Sequence, residues 1–183
     1  MRYAALAALI LLTGCASLSR EDCLQGDWLA IGQRDGAAGR VGDLQFDRHI
    51  VACARVDVTP DRAAWAQGYA AGLRQYCTPL SGLREGEAGA LYRDVCPAAS
   101  EAGFLRGYDL GLAAHRQRQR INEIENEIRD LNQRNAALAG KDEGRAEWRA
   151  NQSLILSLRL DLMRAQAELS RIEREIRAFR AAQ

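Results

Sequence analysis

Few side chains in this chain are suited to catalysis. The sequence contains two histidines, His49 and His115, and no acid, base and nucleophile set at a spacing that would build a catalytic site. His49 lies beside an apolar helical stripe and is expected to be structural, whereas His115 lies in a polar run typical of a solvated helix face. Ser81 has no base at a useful spacing. The sequence therefore predicts a protein that is not an enzyme and uses no cofactor.

The position where the sequence predicts covalent chemistry is Cys15. A positive start, Met1-Arg2, precedes an apolar run from Tyr3 to Leu12. This run is too short for a membrane-spanning helix, which needs about 20 residues. Thr13-Gly14 then stands directly before the cysteine. The arrangement resembles the signal peptide and lipobox of bacterial lipoproteins, which implies cleavage before Cys15 and acylation there. The alternative is an ordinary secretory signal that contains a cysteine.

These residues set the expected location of the protein. We expect residues 1–14 to be a signal peptide and residues 15–22 an acylated linker, with several acyl chains giving a stable membrane anchor. Ala16 follows the cysteine in place of an acidic residue, which by resemblance to bacterial sorting rules favours the outer membrane, with the body in the periplasm. The net charge of +1 gives no reason to expect a nucleic-acid partner.

The remaining four cysteines are expected to form disulfides, because their number is even and the predicted compartment is oxidising. They are Cys23, Cys53, Cys77 and Cys96. A metal site is the alternative, but there is no C-x-x-C, and gaps of 30, 24 and 19 residues match no zinc pattern. Four cysteines allow three pairings, which the sequence leaves open. If neighbouring helices are antiparallel, the expected pairs are Cys23–Cys53 and Cys77–Cys96.

Aromatic residues beside glycines are the other candidates for chemistry, in this case ligand binding. Trp65-x-x-Gly68-Tyr69-x-x-Gly72-Leu73 matches Phe104-x-x-Gly107-Tyr108-x-x-Gly111-Leu112, 39 residues later, and Trp28, Gly32 and Gly36 repeat it faintly. Helical glycine costs up to about 1 kcal/mol relative to alanine. The glycines therefore need a reason. Either they allow another helix or an aromatic ring to pack closely, which we favour, or they form the base of a ligand-binding groove. In a groove, sugars or peptides would meet Trp28, Asp35, Trp65, Tyr69, Tyr76, Tyr92 and Tyr108.

Short helices are expected to position these residues. Asp27 can cap a helix that opens at Trp28 and stops near Asp35-Gly36, since glycine often ends helices. Apolar spacing predicts a further helix over residues 43–55.

The next segment combines a helix and a predicted loop. Thr59-Pro60 is a typical helix start, and the helix can run from there to Tyr76. Residues 78–89 are rich in glycine-containing dipeptides and are expected to be a loop. Ser100 is expected to cap the helix that follows.

The composition changes near residue 113. Apolar residues alternate three and four apart over 121–138 and again over 148–179, which is heptad spacing. The glycine-flanked interruption at 140–144 favours a turn between two antiparallel helices. The sequence therefore predicts a helical hairpin over residues 113–183.

Two asparagines, Asn135 and Asn151, stand at seam positions of this hairpin, where they would fix its register. The seam is closed either by the two arms of one chain or by another subunit, and the sequence leaves both open. An antiparallel hairpin would bring residues 169–179 near Phe104 and Tyr108.

The cysteines, glycines and aromatic residues of the first part form a recognisable skeleton. It runs Cys23-x4-Trp28-x3-Gly32-x2-Asp35-Gly36-x2-Gly39, Phe46, His49, Cys53, Gly68-Tyr69-x2-Gly72-Leu73-x2-Tyr76-Cys77 and Gly86-x2-Gly89-x2-Tyr92-x3-Cys96. This skeleton resembles the uncharacterised proteobacterial lipoprotein family called domain of unknown function 2799. The resemblance implies an envelope lipoprotein with disulfides and brings no assigned activity with it.

These observations predict a mainly α fold, in which a small disulfide-stapled helical domain at 23–112 is followed by a long antiparallel, coiled-coil-like hairpin at 113–183. We expect a lipid-anchored, non-enzymatic envelope protein of the interaction or scaffold type. It would contact the membrane through Cys15 and an envelope protein partner through the hairpin. The alternative is a periplasmic module that binds cell-wall or sugar fragments, with the hairpin as a spacer.

Overall fold

A computed structural model describes residues 17–183, and this part of the chain is helical with no strand. Its helices are α1 (Arg20–Gln25), α2 (Trp28–Ala37), α3 (Gly42–Cys53), α4 (Arg62–Tyr76), α5 (Pro79–Ala88), α6 (Ala98–Leu138) and α7 (Arg145–Ala181). None of them combines the length and the apolar character that crossing a membrane requires. The predicted signal peptide and Cys15 lie outside the described residues. The predicted mainly α fold is confirmed.

Local capping explains where most helices begin. The Asp27 carboxylate accepts a hydrogen bond from the Ala30 amide, so the predicted start of α2 is confirmed. α4 begins later than Thr59-Pro60 indicates, because Asp61 accepts hydrogen bonds from the next two free amides of the helix. A carboxylate at the N-cap satisfies amides that would otherwise lack an acceptor.

The predicted loop over residues 78–89 is wrong, because this segment is helix α5. The Thr78 hydroxyl caps it, Pro79 occupies its first turn, and Gly89 ends it with a left-handed backbone at φ 70°. Its internal glycines, Gly82 and Gly86, are buried. They therefore serve packing, and the turn-like composition of the segment was misleading.

The described chain forms two compact units. The first contains the described residues up to Cys77 together with Arg93–Pro97, and the second contains Thr78–Tyr92 and Ala98–Gln183. The predicted boundary near residue 113 falls within α6, which continues without interruption from the part that packs against α5 into the hairpin.

In the first unit, glycines allow the backbones of α2 and α4 to touch. A Cβ atom built at Gly68 would lie far inside 3.0 Å of the Leu29 carbonyl oxygen, and one at Gly32 would meet the Trp65 carbonyl in the same way. Real Cβ atoms essentially never come so close. The contact continues one turn further along both helices, at Gly36 and Gly72. No larger residue fits at these positions while the two helices keep this separation.

The second unit repeats this arrangement in α5 and α6. A Cβ at Gly82 would meet the Phe104 carbonyl oxygen, and one at Gly107 would meet the Pro79 carbonyl oxygen. Gly82 follows Gly32 by 50 residues, whereas Gly107 follows Gly68 by 39. The two helix pairs are therefore internal repeats, and the first has 11 more residues between its helices. α3, with 12 residues, accounts for that difference.

The described residues also contain two disulfides, both within the first unit. The bonds are Cys23–Cys53 and Cys77–Cys96, with Cα–Cα separations of 5.4 and 5.5 Å, so the expected pairing is confirmed. In chain order, each bond joins the residues before the first helix of a pair to the residues before the second. Such a covalent link reduces the freedom of the unfolded chain.

The second unit ends in the predicted hairpin, whose arms are the later part of α6 and all of α7. Gly140, at φ 77°, stands in the turn between them. The seam is closed within one chain by a buried cluster made of Ile124, Leu131, Ile155, Leu158 and Ala165. The Asn151 amide donates to Asn135 Oδ1 across this seam at 2.9 Å. Nearer the C-terminus, Ile172 and Ile176 pack with Ala114 and with Leu83 of α5.

The glycine contacts predict opposite effects for two substitutions in one helix. Gly107→Ala should lower the free energy of unfolding by about 1–3 kcal/mol, because its methyl group would displace the Pro79 carbonyl. Gly103→Ala should leave stability unchanged or raise it by up to about 1 kcal/mol. The nearest atom to a Cβ at Gly103 is Pro79 Cγ, at an ordinary 3.4 Å. Thermal unfolding followed by circular dichroism measures both, and equal effects would contradict the close approach.

Candidate functional site: a buried polar cluster around Asp35

The aromatic residues predicted to bind ligands are placed mainly in the helix-pair cores. Trp28, Trp65 and Tyr76 are buried. The Tyr69 ring stacks on Trp65, with ring centroids 4.9 Å apart. The grooves over the repeated glycines are filled by the neighbouring helix, so the packing interpretation of these glycines is the one that the structure supports.

The predicted ligand-binding residues are also divided between the two units. Tyr92 and Tyr108 belong to the second unit, whereas the other five belong to the first. Tyr92 packs against Phe104, with ring centroids 4.8 Å apart, and the Tyr108 hydroxyl donates to the Ala90 carbonyl at 2.8 Å. The equivalent bond in the first repeat runs from the Tyr69 hydroxyl to the Arg40 carbonyl. These tyrosines therefore fasten the chain that follows the first helix of each pair.

Asp35 is the predicted site residue with the most unusual surroundings. Its side chain lies on the buried face of α2, and the residue is only 6% exposed. One carboxylate oxygen, Oδ2, accepts hydrogen bonds from His49 Nε2 at 2.7 Å and from Trp65 Nε1 at 3.0 Å. The other oxygen, Oδ1, lies 3.5 Å from Arg40 Nε. A buried carboxylate is costly without such partners, and here three donors compensate it.

His49 extends this cluster to the start of the described chain. It is 1% exposed on α3, and its Nδ1 lies 2.9 Å from Ser17 Oγ. Ser17, His49 and Asp35 are the residue types of hydrolytic triads, but the ring is reversed, since Nδ1 faces the serine and Nε2 the carboxylate. We therefore assign His49 a positioning role. It links Ser17 to Asp35 within the first unit.

The second repeat has the same helix packing without this cluster. The position equivalent to Asp35 is Glu85, and the position equivalent to Trp65 is Phe104, which has no ring N–H to donate. His49 belongs to the inserted α3 and has no counterpart. The helix-pair fold therefore does not require the polar cluster, and its presence in one repeat alone marks it as the candidate functional site.

Two small cavities adjoin the cluster within the first unit. One, of about 280 Å³, is lined by Arg40, Val41, Leu44, Gln45, Arg48 and Arg93. The other, of about 200 Å³, is lined by Ser17, Leu18, Asp22, Ile31, Arg34, Asp35 and Arg40. Arg40 borders both cavities.

Burial raises the pKa of the Tyr69 hydroxyl, and the Asp35 charge adds to the rise. This hydroxyl therefore remains a donor to the Arg40 carbonyl.

Comparison with known protein families gives a match over both helix pairs. Residues 27–113 match a family model described as "Protein of unknown function (DUF2799)". The chain resembles the DUF2799 family over this segment. The match runs from the cap of α2 into α6, so it contains both glycine-packed helix pairs and Asp35 and His49. The resemblance predicted from the sequence is confirmed. No curated protein and no solved structure matches the chain.

Sequence reasoning named Asp35 and Trp65 but missed Ser17, Gln45 and the arginines, and it gave His49 no partner. Ser17 and His49 are 32 residues apart, so no local spacing connects them. One signal in the sequence could have located the inserted helix: the glycines of the first helix in each pair are 50 residues apart, and those of the second helix are 39 apart. It marks an insertion in the first repeat, and the inserted helix supplies His49 and Gln45.

The cluster predicts unequal roles for the two histidines. His49→Leu should lower the free energy of unfolding by about 3–5 kcal/mol, because it leaves the buried Asp35 carboxylate without its nearest donor. His115→Leu should cost about 1 kcal/mol, the loss of one hydrogen bond to the Glu87 carbonyl. Chemical denaturation of the two variants provides the comparison. Similar losses of unfolding free energy in the two variants would contradict a special contribution of the Asp35 cluster to stability.

Proposed function

We propose that this protein is a lipid-anchored component of the bacterial cell envelope that acts by binding another envelope protein through its hairpin. The residues before Cys15 support the lipid anchor. The two disulfides support an oxidising compartment, because such bonds persist mainly outside the cytosol. The partner is proposed from the outward face of α7.

An exposed apolar patch on α7 carries the proposal. Leu156, Leu160 and Met163 are 60%, 52% and 57% exposed. Their spacing of four and three residues places them on one side of the helix. They lie outside the seam, which uses neighbours such as Ile155 and Leu158. α7 therefore has an apolar surface beyond the one that closes the hairpin, and a contiguous patch of this kind is typical of an interaction site.

Arginines flank the apolar patch on the same face of α7. At 3.6 residues per turn, this face also carries Arg145, Arg149, Arg159, Arg164, Arg171 and Arg174. All six are exposed, and Arg149, Arg159 and Arg174 form no ion pair within residues 17–183. A second copy would bring like charges together. The charge pattern therefore favours a partner helix with an apolar stripe between acidic residues.

A photo-cross-linker placed at position 160 tests this surface in cells. We expect benzoylphenylalanine there to form an adduct with one envelope protein, and the linked peptide to be acidic and amphipathic. Arg149→Glu with Arg159→Glu should remove the adduct by reversing the charge. The control position is Leu91, which is 79% exposed on the same unit. Adducts only with lipid or with a second copy, or equal adducts at position 91, would contradict the proposal.

The lipid anchor has its own test. Cells grown with labelled palmitate should label the wild-type protein and lose that label in Cys15→Ser. The double variant Cys77→Ser with Cys96→Ser is the matched control, because it removes two cysteines but keeps Cys15 and the other disulfide. Label that survives in Cys15→Ser would contradict lipidation at this residue.

A further inference from the structure

We propose that the first unit binds a phosphate group in the 280 Å³ cavity at the N-terminus of α3. This site is distinct from the proposed protein-binding face of α7. Phosphate binding by the cavity stands independently of that face. Only the source of the phosphate, discussed below, depends on the proposed lipid anchor.

Three guanidinium groups supply the positive charge of the cavity. Arg40 follows α2, Arg48 lies on α3, and Arg93 comes from the segment between α5 and α6. Arg48 and Arg93 are exposed and form no ion pair with any described residue. Guanidinium forks match phosphate oxygens with two parallel hydrogen bonds. Two of the three arginines are therefore free to meet an anion.

The start of α3 adds backbone donors, apart from the Gly42 amide, which hydrogen-bonds to the Tyr69 hydroxyl. Its N-cap residue is Val41, which provides no side-chain hydrogen bond to the first turn. The acidic side chain in that turn, Asp43, instead forms an ion pair with Arg62 at 2.6 Å. Uncapped amides and the helix dipole favour an anion at a helix N-terminus. Val41, Leu44 and Gln45 of this turn line the cavity.

Gln45 brings a side-chain amide to the lining of the cavity. The residue is 3% exposed, and one end of its amide lies 3.5 Å from His49 Nε2. That ring nitrogen already donates to the Asp35 carboxylate, so the amide oxygen is the end that faces it. The NH₂ group is then the end that can donate to a phosphate oxygen in the cavity.

The surrounding structure holds the arginines in place. The Asp35 carboxylate lies 3.5 Å from Arg40 Nε and leaves the terminal nitrogens of that guanidinium available. Arg93 stands three residues before Cys96, whose bond to Cys77 ties this segment to the end of α4. The residues that line the cavity include three arginines and no acidic side chain, so the lining is positively charged.

The phosphate can come from a lipid headgroup or from a free phosphate. Arg40 also borders the cavity lined by Ser17, which stands two residues after Cys15. Two extended residues span about 7 Å. A chain anchored at Cys15 would therefore hold this end of the first unit close to the headgroups, which favours a phosphodiester over inorganic phosphate.

Calorimetric titration of the full chain in neutral detergent at low salt tests the site. The probes are inorganic phosphate and glycerophosphoglycerol, a soluble phosphodiester headgroup. The test variant carries Arg48→Gln with Arg93→Gln, both at exposed positions. The control is Arg74→Gln, an exposed arginine on α4 that lines neither cavity.

We expect one saturable site, weakened about tenfold or more in the double variant and unchanged in Arg74→Gln. Tighter binding of glycerophosphoglycerol would identify a lipid headgroup as the source, and tighter binding of inorganic phosphate a free phosphate. Absence of saturable binding of both probes, or equal weakening in the control, would overturn the proposal. The palmitate experiment fails or succeeds independently, so loss of the anchor and loss of this site are distinguishable.

Discussion

The structure depends on backbone contact between paired helices at eight glycines. At each one, the space that a Cβ would need contains a carbonyl oxygen of the neighbouring helix. A helical glycine costs up to about 1 kcal/mol in helix propensity. Close approach returns stability through Cα–H···O contacts and tight packing. The flanking aromatic rings, such as Trp65 and Phe104, then bury their area beside the contact.

The glycine-packed helix pair occurs twice in this chain, and the two copies carry different additions. The second pair, α5 and α6, continues into the hairpin and its basic outer face. The first pair instead accommodates α3, which brings His49 to the buried carboxylate of Asp35 and Gln45 to His49. The two units thus keep the same helix packing while their added parts differ. One adds a protein-binding surface, in our proposal, and the other an anion site.

The sequence predicts the local parts of this structure, the disulfide pairs and the hairpin, but not the long-range partners of the buried polar groups. The cap at Asp27 and the heptads of the hairpin are confirmed, because they depend on neighbours a few residues away. The α5 helix was missed because Gly82 and Gly86 look like turn residues until their partner helix is known. Asp35 could be named from its residue type, but its partners Ser17 and His49 are joined only by the fold.

The close approach of the backbones can be measured directly by nuclear Overhauser contacts in glycine-labelled protein. The account predicts cross-peaks from the Gly68 α-proton to the Gln33 amide proton and from the Gly107 α-proton to the Leu83 amide proton. In both cases a Cβ at the glycine would lie 2.9 Å from the amide nitrogen. Cross-peaks from these α-protons to side chains alone, without the two amide contacts, would contradict the glycine-packed helix pairs.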